Sequence, residues 1–103
     1  MIKVTFLYPN NDGSRFDMDY YRTSHLELAR RKFGPALKGL TIDAGIAGMD
    51  PGSQPPFHAV AHLLFETAND FYSCLIPNIE EFKADAVKYT DVQPVILISE
   101  SVV

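Results

Sequence analysis

Short apolar runs alternate with polar, turn-forming clusters along this chain, and the spacing of the apolar positions changes from run to run. Residues 2–8, IKVTFLY, are rich in β-branched and aromatic types and predict a strand. PNNDGSR then supplies turn formers. From Met18 the period lengthens. Met18, Tyr21, His25, Leu28 and Ala29 fall on one stripe at about 3.6 residues per turn. The spacing predicts a helix from Met18 to Phe33. Asp17 is its expected N-cap, and Phe16 and Tyr21 stand at the hydrophobic-staple spacing. Gly34-Pro35 stops the helix behind Arg30, Arg31 and Lys32, which face the negative end of its dipole.

Residues 37–48, LKGLTIDAGIAG, predict a weaker strand loosened by three glycines. MDPGSQPP is an exposed connection. FHAVAHLLFE, residues 57–66, is the next ordered run and reads as a strand of about ten residues between Pro55-Pro56 and Thr67. Thr67 and Asp70 have capping-box spacing and open a second helix. Pro77 interrupts it, and a further helical segment is expected from Pro77 to Tyr89. QPVILISESVV supplies a C-terminal strand. The order β-α-β-β-α-β makes residues 1–103 a single α+β domain with the ferredoxin-like arrangement. Two helices should cover one face of a four-stranded antiparallel sheet.

The other sheet face is then bare. Its predicted residues, among them Leu7, Val60, Leu64, Val95 and Leu97, are too apolar for water alone. A homodimer that presses two such faces together would form a dimeric α+β barrel with a ligand-sized lumen.

Bulk composition narrows the partners. The chain has 103 residues, 47% hydrophobic and 21% charged, as in an ordinary globule. Its net charge of −4 and lack of long basic runs argue against nucleic acid. No apolar stretch approaches the ~18 residues of a membrane span. The single cysteine, Cys74, sits among apolar residues and reads as a small buried hydrophobe. A cytoplasmic protein without an internal disulfide is expected.

Three histidines, His25, His58 and His62, are the groups that titrate near neutrality unaided. On a strand, His58 and His62 share a face but stand roughly 13 Å apart, too far for one metal ion. They are candidate substrate-binding groups in the lumen, or filler in a partly polar interface. His25 stands on a core-facing stripe with Tyr21 one turn before it, and Tyr8 ends the first strand nearby. An imidazole base beside phenols that can hold a developing oxyanion suits general acid–base catalysis. The bland alternative is a hydrogen-bonded core histidine. Asp17 and Asp19 read as helix-start charges, and the tyrosines at 20, 72 and 89 more often pack than react. No nucleophile elbow, phosphate-cradling loop or dinucleotide fingerprint is present, so no cofactor is expected.

Taken together, IKVTFLYPN, FDMDYYRTSH, FHAVAHLLFET and YTDVQPVILISE resemble the EthD family, over nearly the whole chain. The resemblance implies the dimeric α+β-barrel superfamily: a ferredoxin-like subunit, a homodimer and a lumen. Relatives in that superfamily include cofactor-free monooxygenases, lactone isomerases and polyketide cyclases. His25 and the Tyr20-Tyr21 pair match the family motif, while its usual His-Met-Pro is here His25-Leu26-Glu27. The expected function is binding of an apolar or aromatic small molecule, with cofactor-independent acid–base or oxidoreductase chemistry. His25, Tyr21 and Tyr8 would be catalytic, and His62, His58 and Tyr20 would touch substrate. The other expectation is a non-catalytic binding or accessory protein.

Overall fold

The structure, a computed structural model, describes residues 1–103. Four strands form one sheet: β1 (Ile2–Pro9), β2 (Gly39–Ala44), β3 (Phe57–Phe65) and β4 (Val95–Ser99). The order is β2-β3-β1-β4, and every neighbouring pair is antiparallel. Val4 faces Leu63 on one side and Ile98 on the other. That register puts Val4, Ala59, Ala61, Leu63 and Phe65, all buried, on the face that meets the helices. The helices lie on this face alone, so the α+β ferredoxin-like architecture holds. The opposite face carries half-exposed Val95 and Leu97. β2 is shorter than expected and ends at Ala44. There the Gly45 amide donates to the His58 carbonyl oxygen (2.9 Å), and a Cβ at Gly45 would collide with the carbonyl oxygen of Phe57.

The first helical run spans the predicted Met18 to Phe33, but not as one α-helix. It is α1 (Met18–Tyr20), a π turn (Tyr21–His25) and α2 (Leu26–Phe33). The Asp17 carboxylate caps it by accepting from the Tyr20 amide at 3.1 Å. The Phe16 and Tyr21 rings meet at 5.1 Å, as the staple requires. Gly34 ends the run with φ +55°, a backbone that a side chain would strain.

The wide turn changes which residues point inward. Tyr21 and Phe33 are twelve positions apart, so their directions on a regular α-helix would differ by about 120°. One residue absorbed in the π turn cuts that to about 20°, and both reach the same core. Leu26 therefore comes to line the cleft between helices and sheet. Leu28 is buried on the helix flank, beside Ala84 and Asp85.

The second run is α3 (Ala68–Leu75), a 3-10 turn at Ile76–Asn78 that contains Pro77, and α4 (Ile79–Ala86). Thr67 Oγ1 accepts from the Asp70 amide at 3.1 Å, as its spacing predicted. The helix stops at Ala86, three residues short of the expected Tyr89. The Tyr89 and Thr90 amides both turn back to the Ala86 carbonyl oxygen, at 3.1 and 3.0 Å. The Tyr89 carbonyl oxygen then accepts from the Asp17 amide at 2.7 Å. This double anchor turns the Tyr89 ring into the core, where it is 1% exposed.

Candidate active site

The helical layer does not close against the sheet along its whole length. Between them lies a cleft of about 590 Å³, walled chiefly by apolar side chains from β1, β3, α2 and α4. His25, Tyr8, Tyr21 and Tyr89 converge on it, and Lys83, Asp91 and Gln93 add polarity. It lies on the helix side of the sheet, within one subunit, whereas the sequence pointed to a lumen between two sheets.

His25 is held from both sides. Its Nδ1–H donates to Asp85 Oδ2 at 2.8 Å. A carboxylate only accepts, so this bond assigns the proton to Nδ1 and leaves the lone pair on Nε2. Nε2 lies 3.4 Å from the Tyr89 hydroxyl, which is 2.8 Å from the Tyr8 hydroxyl. Asp85 is braced in turn by the Tyr20 hydroxyl, which donates to Oδ1 at 2.7 Å. The Tyr21 ring stacks on the imidazole, with centroids 5.6 Å apart and planes 19° apart. Phe82 meets it edge-on at 6.0 Å.

These surroundings set the protonation states. Burial pushes His25 below its ordinary 6.5, against the pull of Asp85 in the other direction. Burial acts to raise Asp85, but the bonds from Tyr20 and His25 and the nearby charge of Lys88 hold it below the usual carboxylate value. Burial first of all drives Tyr8, Tyr21 and Tyr89 well above 10.0. At neutral pH the site therefore holds a neutral imidazole, an ionised carboxylate and three phenols that keep their protons. That set can take a proton at Nε2 and offer O–H donors to an oxygen that gains charge.

Of the residues picked from sequence, His25, Tyr21 and Tyr8 come together here. Tyr20 lies behind Asp85 and does not line the cleft. His62 alternates with the inward alanines of β3 and stands on the far side of the sheet, whereas His58 sits at the register shift where β3 meets the end of β1. His62 Nδ1 lies 3.0 Å from Thr5 Oγ1, its cross-strand partner. His58 Nε2 lies 2.7 Å from Ser14 Oγ, and its ring stacks on Phe16. Neither lines the cleft. Two central groups were missed from sequence: Asp85 as the partner of His25, and Tyr89 as more than packing. A signal for Asp85 existed. Phe82, Asp85, Ala86 and Tyr89 share one helical stripe, and a carboxylate there is as odd as a histidine on the first.

Comparison with known proteins agrees with this fold. Residues 14–93 match the family described as EthD domain. An EthD-like protein from Ralstonia eutropha JMP134 is 36% identical over 99% of this chain and 92% of its own, with a TM-score of 0.94. An EthD family protein from Bacillus halodurans C-125 is 19% identical over 98% of each chain, with a TM-score of 0.71. A dimeric ferredoxin-like protein of unknown function from Thermobifida fusca YX shares the fold at 15% identity, 97% and 90% coverage and a TM-score of 0.59. No curated protein matches the chain in sequence.

Proposed function

The chain belongs to the EthD family, and from that premise we propose that it is a cofactor-independent acid–base enzyme acting on an apolar or aromatic small molecule. The observation that carries this reading is the orientation of His25. Its Nδ1–H is committed to Asp85 at 2.8 Å, which leaves Nε2, 3.4 Å from the Tyr89 hydroxyl, as the basic nitrogen of a ring that lines an apolar cleft of about 590 Å³. A substrate with an acidic C–H or O–H loses its proton to Nε2. The Tyr89 or Tyr8 hydroxyl donates to the oxygen that takes up the charge. The protonated imidazole is stabilised by Asp85 and returns its proton to the product or to water, so the step consumes no oxidant. We also propose the homodimer, on the exposed apolar side chains of the far sheet face; closing two subunits there leaves each cleft on the outer, helical side.

The test is turnover of a ligand found by screening compounds that fit the cleft. His25→Gln should lower kcat by about 100-fold or more, and Asp85→Asn by 10-fold to 100-fold through loss of the tautomer, each with little change in KM. Loss of less than about tenfold in His25→Gln excludes the general-base role.

A second reading, carriage without chemistry, is favoured by one observation. No buried side-chain polar atom lacks a hydrogen-bond partner, so the network is complete without a substrate. Tight binding with no change in the ligand, equal in wild type and His25→Gln, would favour carriage.

A further inference from the structure

Asp85 has two effects on His25, and they conflict. By accepting from Nδ1–H it fixes the tautomer of the ring. A carboxylate 2.8 Å from an imidazole also favours the charged ring. A protonated His25 has no lone pair left and cannot act as a base. The site therefore needs a carboxylate that orients the ring without charging it.

The other donors around Asp85 meet that need. Oδ2 accepts from His25, while Oδ1 accepts from the Tyr20 hydroxyl at 2.7 Å and lies 3.8 Å from the Lys88 ammonium. Each donor that stabilises the charged carboxylate weakens its pull on a further proton. Burial acts to raise the Asp85 carboxyl; of the groups that hold it down instead, the Tyr20 bond comes first, ahead of His25 and Lys88. The bond to Asp85 in turn pushes the Tyr20 phenol above its ordinary 10.0, so Tyr20 keeps its proton wherever His25 titrates. Packing does not call for this hydroxyl. The Tyr20 ring stacks on Tyr89 with centroids 6.4 Å apart and planes 19° apart, and a phenylalanine would do the same. Lys88 reaches the same oxygen from outside. It lines, with Asp85, a groove of about 390 Å³ between α2 and α4, whereas His25 lines the cleft. The Arg15 guanidinium donates to the Val87 and Lys88 carbonyl oxygens at 2.9 and 3.4 Å and pins the turn that carries Lys88.

We infer that Tyr20 and Lys88 restrain Asp85, so that this carboxylate orients His25 without drawing a second proton onto the ring. This rests on His25 as the base proposed above. Tyr20 and Lys88 are then positioning residues that act on the base through its partner. Tyr20 carries the larger share, because its bond is short and charge-assisted, whereas an exposed lysine at 3.8 Å interacts weakly.

The experiment is the NMR titration of the His25 ring in the intact chain, with the ring nitrogen shifts as the readout of its tautomer. The titratable and charged groups that face the pair are Tyr20 and Tyr21 from the first helical run, Lys88 and Tyr89 from the segment after α4, Tyr8 from β1, and Glu27, Arg31 and Glu81 along the groove. The variants change Tyr20 and Lys88 alone. Tyr20→Phe keeps the ring and its stacking. Its His25 midpoint should rise by about half a pH unit or more, because Asp85 loses its strongest other donor. Lys88→Met, at an exposed position, should raise the midpoint by a smaller amount. The double variant should rise furthest, and Nδ1–H should persist in all of them. A fall of the midpoint in Tyr20→Phe, with loss of the Nδ1–H tautomer, would show that Tyr20 only holds Asp85 in place, and the inference fails. An unmoved midpoint in Tyr20→Phe overturns it equally. An unmoved midpoint in Lys88→Met removes the role given to Lys88. None of these readouts needs a substrate, so failure of the enzymatic reading would show separately, in the turnover of His25→Gln.

Discussion

The layer between helices and sheet has two aromatic ends built alike in shape and unlike in chemistry. At one end Phe33, Phe65 and Phe71 pack with ring centroids 5.3, 5.4 and 5.8 Å apart. At the other, Tyr8, Tyr21 and Tyr89 pack at 4.8, 5.3 and 5.9 Å. As packing, the two clusters are equivalent. Hydroxyls make the difference, together with the His25–Asp85 pair they touch. A buried phenol costs free energy unless its O–H finds a partner, and a phenylalanine would fill the same space without that demand. The phenylalanine end is accounted for by burial. The tyrosine end holds polar groups that burial alone does not call for, and all three of its rings line the cleft, against Phe33 alone of the other three.

The largest expected effect breaks the first half of this comparison. Phe71 is 1% exposed and touches Phe6, Phe33 and Phe65. Phe71→Ala should cost about 3–5 kcal/mol of stability, through lost burial and an unfilled cavity. Denaturant melts measure it. The titration of His25 should be unchanged under conditions where the variant is folded. A cost below about 1 kcal/mol would mean that this end is not the main support of the core.

A smaller effect follows from the tyrosine end through pH. Burial holds the folded-state value of His25 below its ordinary 6.5. The unfolded chain therefore binds a proton more readily than the native one. The stability involved is complete above 6.5 and is lost as pH falls through the folded-state value. Asp85, also lowered in the native state, adds a second loss below its ordinary 3.8. His25→Gln should flatten the first decline and reduce the second, which the Tyr20 bond and Lys88 still support. A wild-type stability that rises as pH falls from 7 to 5 would contradict the burial assigned to this ring.

Much of the first half of the site was legible in the sequence, and the second half was not. Asp17, Thr67, Gly34 and Pro77 act locally, through backbone groups a few residues away, so their signals survive without a partner element. The strands and their order followed from period and turn chemistry for the same reason. His25 and Tyr21 were visible because the stripe near Met18 still follows the α period. Leu28 is buried as expected, but Leu26 at the cleft was missed because a π turn leaves no mark in a pattern read at one constant period. Asp85 was missed because its partner lies sixty residues away, and no spacing rule joins residues of two helices packed side by side. The expected lumen between subunits drew attention from the helix side, where the cleft opens.

The smallest expected effect is the sharpest test of the comparison. The Tyr8 and Tyr89 hydroxyls bond each other at 2.8 Å, buried, and Tyr89 also meets His25 Nε2 at 3.4 Å. Tyr8→Phe removes one partner and leaves Tyr89 its bond to the imidazole, so stability should change by about 1 kcal/mol or less. Tyr8→Phe with Tyr89→Phe removes both hydroxyls together and leaves no orphan between them, and should be neutral or slightly stabilising. Differential scanning calorimetry of the two variants decides the matter. If the double variant is as stable as the wild type, this end folds as well in phenylalanine as the other does, and its hydroxyls are there for what enters the cleft. A double variant that loses more than about 2 kcal/mol would show that the phenols hold the fold themselves, and the two ends would differ in chemistry but not in purpose.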